Sequence, residues 1–344
     1  MKRRAAILTE PKKFQIIEED IPAIQPHEVL VEVEAIGLCH SDMPTYLGDS
    51  QMGFDERGHL AMIKDIQFPT HIGHESVGII KEVGSDVTDY KPGDYVGLIP
   101  AAAGFASHQV VPAAFCVPIP KEIPREELKY CLAEPLMCVG NMVKVANPSL
   151  GETVAVVGCG MMGLLTIAGL KHSSASKIIA VDVQDSRLEL AREFGATHTI
   201  NPLSEDVTES IDALTDRLGA DIVVEITGSL RGLKTALKVV RYADMLGPAG
   251  RGKVLIPSLY AKAEQWDPEI GYELMYRSPI LHSVHPLYAE DYLKVAKDSV
   301  EACQKGILPI KNLITHEFSL DNIQQGFDLL ESGDINYIKG IIKP

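Results

Sequence analysis

The sequence predicts an α/β chain of two domains, the first rich in short β-strands and the second a doubly wound parallel sheet. Three observations carry that reading. Up to about residue 120, "EVLVEVEAIGL", "GIIKEVG" and "DYVGLIP" carry β-branched residues between turn signals such as "GSD" and "KPGD". From Glu134 onward, strand-like and helix-like segments alternate, as in a parallel sheet with crossover helices. A length of 344 residues is long for one domain and comfortable for two.

The elements follow in order. "EPLMCVGNMVKVAN" reads as a helix from Pro135, a residue suited to the first helical position because its missing N–H costs nothing there. "TVAVVG" predicts a strand feeding a helix from about Met161. "KIIAVDV" predicts a strand before the helix "SRLELAREFGA", and "HTI" a short strand after it. "ADIVVEITG" precedes the helix "LRGLKTALKVVR", and "GKVLIPSLY" and "PILHSVH" are later strands. "YAEDYLKVAKDSVEACQKG" reads as helix and "YIKGIIKP" as strand, and this tail is expected to rejoin the first domain. The expected domains are therefore 1–146 with 288–344, and 147–287 between them.

Composition narrows the function. With 46% apolar and 23% charged residues the chain reads as a soluble globular protein. Its net charge of −15, from 47 acids against 32 bases, argues against nucleic acid or an anionic membrane as partner. No apolar run approaches the ~18 residues of a membrane span. The start, "MKRRAAILTEPKKF", is basic, but its apolar part is too short for a signal peptide, so the cytoplasm is expected. Six cysteines lie far apart without a CxxC pair, which excludes a disulfide framework and leaves mostly buried thiols.

"VAVVGCGMMGLL" sets Gly158, Gly160 and Gly163 as GxGxxG directly after a strand and at the opening of a helix. Such glycines let the backbone approach a pyrophosphate, and the helix N-terminus supplies amide donors and positive dipole. Asp182, nineteen residues beyond Gly163, ends the next strand. A carboxylate there accepts the ribose hydroxyls and repels a 2′-phosphate, which favours NAD(H) over NADP. Arg187 is either a cofactor contact or a solvated residue in a first helical turn. Met161, Met162 and Thr227 are counted with the cofactor-binding set.

"AIGLCHSDM" places Cys39 beside His40, and thirty-five residues beyond Cys39 comes His74, next to Glu75, in "IGHESVG". Cysteine, histidine and carboxylate suit a catalytic zinc, which takes three protein ligands and keeps one position open. Spacing alone does not decide it. The order "GLCHSD", "GHESVG", "EPLMCV" and then the glycine fingerprint resembles the zinc-dependent medium-chain alcohol and polyol dehydrogenases over nearly the whole chain. The resemblance implies a GroES-like β-rich catalytic domain beside a Rossmann domain, with Cys39 and His74 as zinc ligands. The third position falls on Glu134, as in the sorbitol and threonine dehydrogenase branches. Glu75 then supports the metal or serves as an alternative ligand, and Asp42 supports it from behind. Ser41 passes the proton outward, His40 meets the pyrophosphate, and Cys138, the rival ligand, lies beside the nicotinamide. A homodimer or homotetramer acting on a small alcohol or ketone is implied as well.

Three departures from the family pattern stand out. "GDYVGLIPAAAGFASHQVVPAAFCVPIP" has only Cys116 where many relatives place four cysteines, so one catalytic zinc and no structural zinc is expected. Pro44 replaces a histidine that often ends the proton relay, leaving the ribose, Thr45, Tyr46 or water. The interval between Cys39 and His74 is long, the added "TYLGDSQMGFDERGHLAMIKDIQFP" being either a cover over the substrate or a surface loop in which Arg57 and His59 face solvent. Tyr46, Tyr260 and His285 are candidate substrate contacts. The sequence thus predicts a zinc-dependent NAD(H) oxidoreductase interconverting a secondary alcohol (polyol, sugar, cyclitol or amino alcohol) and its ketone. The alternatives are a zinc-free quinone or enone reductase of the same fold and a non-catalytic NAD-binding protein.

Overall fold

The computed structural model describes residues 1–99, 104–242, 250–260 and 265–344. The chain divides into two compact units, Met1–Leu136 with Ile310–Pro344, and Met137–Pro309. In chain order the first unit opens with β1 (Lys2–Glu10), β2 (Lys13–Asp20) and β3 (Glu28–Gly37). A 3-10 turn, His40–Asp42, then runs into the short helix α1 (Met43–Leu47), which has Pro44 in its first turn and ends at Gly48, φ +80°. β4 (Gln51–Phe54) and β5 (Leu60–Ile63) form a hairpin, followed by β6 (Glu75–Val83), β7 (Tyr95–Leu98), β8 (Phe105–Ala106), β9 (His108–Pro112) and β10 (Cys116–Ile119).

Helix α2 (Ala133–Ala146) leads to β11 (Thr153–Val157), α3 (Met161–Leu170), β12 (Lys177–Val181), α4 (Asp185–Phe194), β13 (His198–Ile200), α5 (Val207–Leu214) and β14 (Ile222–Glu225). Then come α6 (Leu230–Val239), β15 (Lys253–Ile256), α7 (Pro268–Arg277), β16 (Ile280–Ser283) and α8 (Tyr292–Gln304). The chain returns to the first unit with β17 (Ile314–Ser319), α9 (Ile323–Ser332) and β18 (Lys339–Lys343).

In the first unit, strands β10-β7-β6-β3-β18-β17 lie side by side, with β9 also on β3, and β2-β1-β8 form a second sheet. Leu8, Ile36, Leu38, Phe105 and Phe327 fill one core between these sheets and α9. The second unit holds a parallel sheet of order β13-β12-β11-β14-β15-β16. That is the dinucleotide-fold order, with the switch point at the carboxyl end of β11. Its central strands read as unbroken apolar runs because helices cover both faces: every residue of β11 is buried. The α/β class expected from the sequence is the one observed.

The division between units falls at residues 136 and 310 rather than at 146 and 288. Helices α2 and α8 account for the difference. Gly140 leaves room for the Ser299 side chain, which seats α8 on α2, and Lys253 Nζ donates to the carbonyls of Val145 and Ala146, tying α2 to the parallel sheet. The long interval before His74 contains the β4–β5 hairpin. Asp55 Oδ1 shapes its turn by accepting from the backbone of Arg57 and His59, whose side chains face solvent.

Candidate active site

The first-unit site is made by strand register. β3 and β6 run antiparallel with Gly37 opposite Glu75. Cys39 lies two residues past one strand end and His74 one residue before the other, so residues remote in sequence become neighbours. The donor atoms of Cys39, His74 and Glu75 all lie within 4.8 Å of one another. Ser41 Oγ donates to Cys39 Sγ at 3.1 Å and lies 3.2 Å from His74 Nε2. On the far side of the ring, His74 Nδ1 is 3.1 Å from Asp42 Oδ1, which also accepts from the Gly73 N–H. An ionised carboxylate only accepts, so Nδ1 carries a proton toward Asp42, and Nε2 faces Cys39 and Ser41. Asp42 is thus the outer partner that fixes the imidazole.

The charges in this pocket reinforce one another. Burial opposes the His74 imidazolium, but the Asp42 carboxylate and the Cys39 sulfur lift its pKa well above the ordinary value. Burial, aided by the Glu75 charge, pushes the Cys39 thiol up. A cation entering here displaces those protons.

Lys339, from β18, carries no motif in the sequence yet completes the pocket. β18 pairs with β3, placing Ile341 opposite Gly37, and the Leu38 N–H donates to the Gly340 carbonyl. Lys339 is 3% exposed. Its Nζ lies 2.5 Å from Glu75 Oε2 and donates to the Leu38 carbonyl at 2.9 Å. Gly37 makes the space: a Cβ there would stand 1.8 Å from Glu75 Oε2. Burial works against the Lys339 charge, but Glu75 and Cys39 together raise its pKa.

Glu134 sits half-buried in the first turn of α2 and is not one of the trio. His40 is exposed at the start of its turn. Tyr46 is wholly buried, stacks on Phe327 with ring centroids 4.8 Å apart, donates to Asp328 and accepts from Gln324. Tyr46 thus packs within the first-unit core. Thr45 is also buried, its hydroxyl donating to the Ser50 carbonyl. Neither hydroxyl is disposed to extend a proton relay from Ser41.

In the second unit the glycine loop is packed as tightly as its sequence implies. Gly158 has φ +104°, and a Cβ on Gly163 would lie 2.0 Å from the Gly158 carbonyl oxygen. Gly160 is exposed and caps α3, with Met161 buried and Met162 half-buried behind it. Asp182 follows β12. Its Oδ2 accepts from the Cys159 N–H at 2.7 Å and its Oδ1 from the Gln184 N–H at 2.9 Å. Arg187 is 7% exposed, which removes the solvated alternative; burial lowers its pKa while Asp182 counters.

Cys138 is half-buried in α2. His285 caps a short 3-10 turn, its Nδ1 accepting from the Leu287 N–H. The Tyr260 hydroxyl donates to the buried Glu225 carboxylate, which accepts from Thr227 as well. Glu225 is the second functional candidate, after Lys339, that sequence reasoning missed.

Comparison with known proteins fits both halves. A model described as an alcohol dehydrogenase GroES-like domain matches residues 25–121, and one described as a zinc-binding dehydrogenase matches residues 162–258. An L-threonine 3-dehydrogenase of Bacillus licheniformis is 30% identical, with 91% of each chain covered. The chain belongs to the zinc-type medium-chain dehydrogenase family.

An erythritol/L-threitol dehydrogenase of Mycolicibacterium smegmatis is 28% identical to this dehydrogenase over 96% of its chain and 95% of the relative. A crystal structure of an Escherichia coli oxidoreductase of unknown specificity matches it with a TM-score of 0.81 at 27% identity, covering 100% of this chain and 99% of the other. Thiol, imidazole and carboxylate converging beside an orienting Asp42 make a donor set suited to zinc in this dehydrogenase.

Proposed function

We propose that the chain is a zinc-dependent, NAD(H)-linked dehydrogenase interconverting a secondary alcohol and its ketone, with a polyol, sugar, cyclitol or amino alcohol as substrate. The observation that carries this reading is the convergence of Cys39, His74 and Glu75 in one pocket, with Asp42 fixing the imidazole. Cys39 and His74 would hold one zinc with a carboxylate as third ligand. Glu75 is the carboxylate that converges with them within 4.8 Å, and Glu134 is the one the family resemblance names. When bound, zinc supplies positive charge that lowers the pKa of an alcohol hydroxyl and makes the alkoxide accessible near neutral pH.

The chain's own groups do the rest. Ser41 Oγ, in reach of both Cys39 Sγ and His74 Nε2, is the hydroxyl placed to accept the alcohol proton and pass it outward. The Gly158–Gly163 loop and the N-terminus of α3 would cradle the pyrophosphate of NAD(H), and Asp182 would meet its ribose. The names of relatives, an L-threonine 3-dehydrogenase and an erythritol/L-threitol dehydrogenase, agree with a polar secondary alcohol.

The test is NADH formation across secondary polyols, cyclitols, sugars, β-hydroxy-amino acids and simple alcohols, before and after chelation. Turnover of one polar class should fall at least about tenfold on chelation and return with added Zn²⁺. Chelator-insensitive reduction of an enone would replace this reading with the zinc-free reductase, and NADH binding without any turnover would favour a non-catalytic role.

Cofactor choice has its own test. Asp182→Ala should shift the ratio of kcat/KM for NAD over NADP toward NADP by about tenfold, or ~1.4 kcal/mol. An unchanged ratio would remove Asp182 from ribose recognition.

A further inference from the structure

We propose that Tyr260 is a positioning residue of the cofactor site, acting through Glu225 and Thr227 on the first glycine of the fingerprint. The inference rests on the reading that the second unit binds a dinucleotide. Glu225 ends β14 and is fully buried. Its Oε1 accepts from the Thr227 N–H at 2.8 Å and from the Thr227 hydroxyl, while Oε2 accepts from the Tyr260 hydroxyl. The Tyr260 ring packs against the apolar core of the parallel sheet, so the phenol is held from both ends.

The clamp leads directly to the glycine loop. A Cβ on Gly158 would stand 3.0 Å from Thr227 Cγ2 and 3.2 Å from Thr227 N, so Ile226 and Thr227 press against the loop's left-handed turn. Thr227 Oγ1 also meets Ser229, whose hydroxyl caps α6 by accepting from the Gly232 N–H. Gly232 must lack a side chain for this: its Cβ would lie 1.9 Å from Thr227 Oγ1 and 2.6 Å from Glu225 Oε1.

A buried carboxylate needs its donors, and Tyr260 is the one that reaches it from the segment after β15. Without that donor the carboxylate must find another partner, and the loop touching Gly158 moves with it. The role differs from a substrate contact because the hydroxyl is already committed inside the unit.

The experiment is fluorescence titration of full-length protein with NADH, for wild type, Tyr260→Phe, Glu225→Gln and the double variant. Tyr260→Phe should raise the NADH Kd about fivefold to tenfold, and the double variant should match the worse single one rather than multiply the two effects. Zinc content and the KM for the best alcohol at saturating NAD should stay within twofold of wild type. Three results would overturn the inference alone: an NADH Kd within twofold of wild type for Tyr260→Phe, independent effects in the double variant, or a raised alcohol KM with unchanged NADH binding. Wild-type protein that does not bind NADH would overturn the dinucleotide reading and this inference with it.

Discussion

If Cys39, His74 and a carboxylate hold zinc as proposed, Cys39→Ser should strip the protein of that metal. Zinc content, measured by mass spectrometry of purified protein, is expected to fall from about one per chain to below about a tenth, because a serine hydroxyl is a poor replacement for thiolate in a set of only three protein ligands. Turnover should fall at least about 10³-fold, as several kcal/mol of transition-state stabilisation goes with the ion. The fold should persist. Cys39 lies beyond the end of β3 and is only half-buried, so far-UV circular dichroism should match wild type. A variant that keeps its zinc would remove Cys39 from the ligand set. Glu134→Ala, assayed in the same way, assigns the carboxylate: loss of the metal makes Glu134 the third ligand, and retention leaves that place to Glu75.

Lys339→Met should be the most destabilising single change near the site. The ammonium is the counter-ion of a carboxylate that is 1% exposed, 2.5 Å away. Removing one member of a buried pair leaves the other charge uncompensated, at a cost of about 3–5 kcal/mol. Replacing both members by apolar residues of similar size is often neutral, so Lys339→Met combined with Glu75→Leu should recover most of that loss. Guanidinium unfolding followed by circular dichroism measures both variants. A loss below about 1 kcal/mol for Lys339→Met would mean that water or backbone already satisfies Glu75. The double variant also loses a candidate ligand, so it reports on stability and not on activity.

What could be read from the sequence follows from how local each requirement is. The glycine fingerprint was legible because Gly158 and Gly163 answer to backbone sterics within one strand–turn–helix unit, with Asp182 at the next strand end. The alternating second unit was legible because buried parallel strands are short apolar runs separated by amphipathic helices. Cys39 and His74 were legible only as motifs, since the β3–β6 register that joins them is not written in their spacing.

Lys339 was invisible for the same reason. A lysine in "YIKGIIKP" looks like any strand-edge charge until β18 is laid beside β3. The hydroxyl partners of Tyr46 and Tyr260 were not legible, because a tyrosine's chain position says nothing of where its hydroxyl goes, here to Asp328 and Glu225. Helices α5, α7 and α9 were missed, as was the β4–β5 hairpin, whose turn depends on Asp55 Oδ1 accepting from the Arg57 and His59 N–H groups.

The pairing of β18 with β3 also constrains how the protein is made. The second unit is one continuous stretch of chain and can fold as it leaves the ribosome, in keeping with domains folding as units during synthesis. The first unit cannot finish so early. Glu75 is translated long before Lys339, so for much of synthesis its carboxylate waits without a counter-ion and the pocket beside Cys39 lacks one wall. A nascent chain halted after the second unit should therefore show a protease-resistant second unit beside a loosely closed first one, with zinc retention beginning only once β18 has been added.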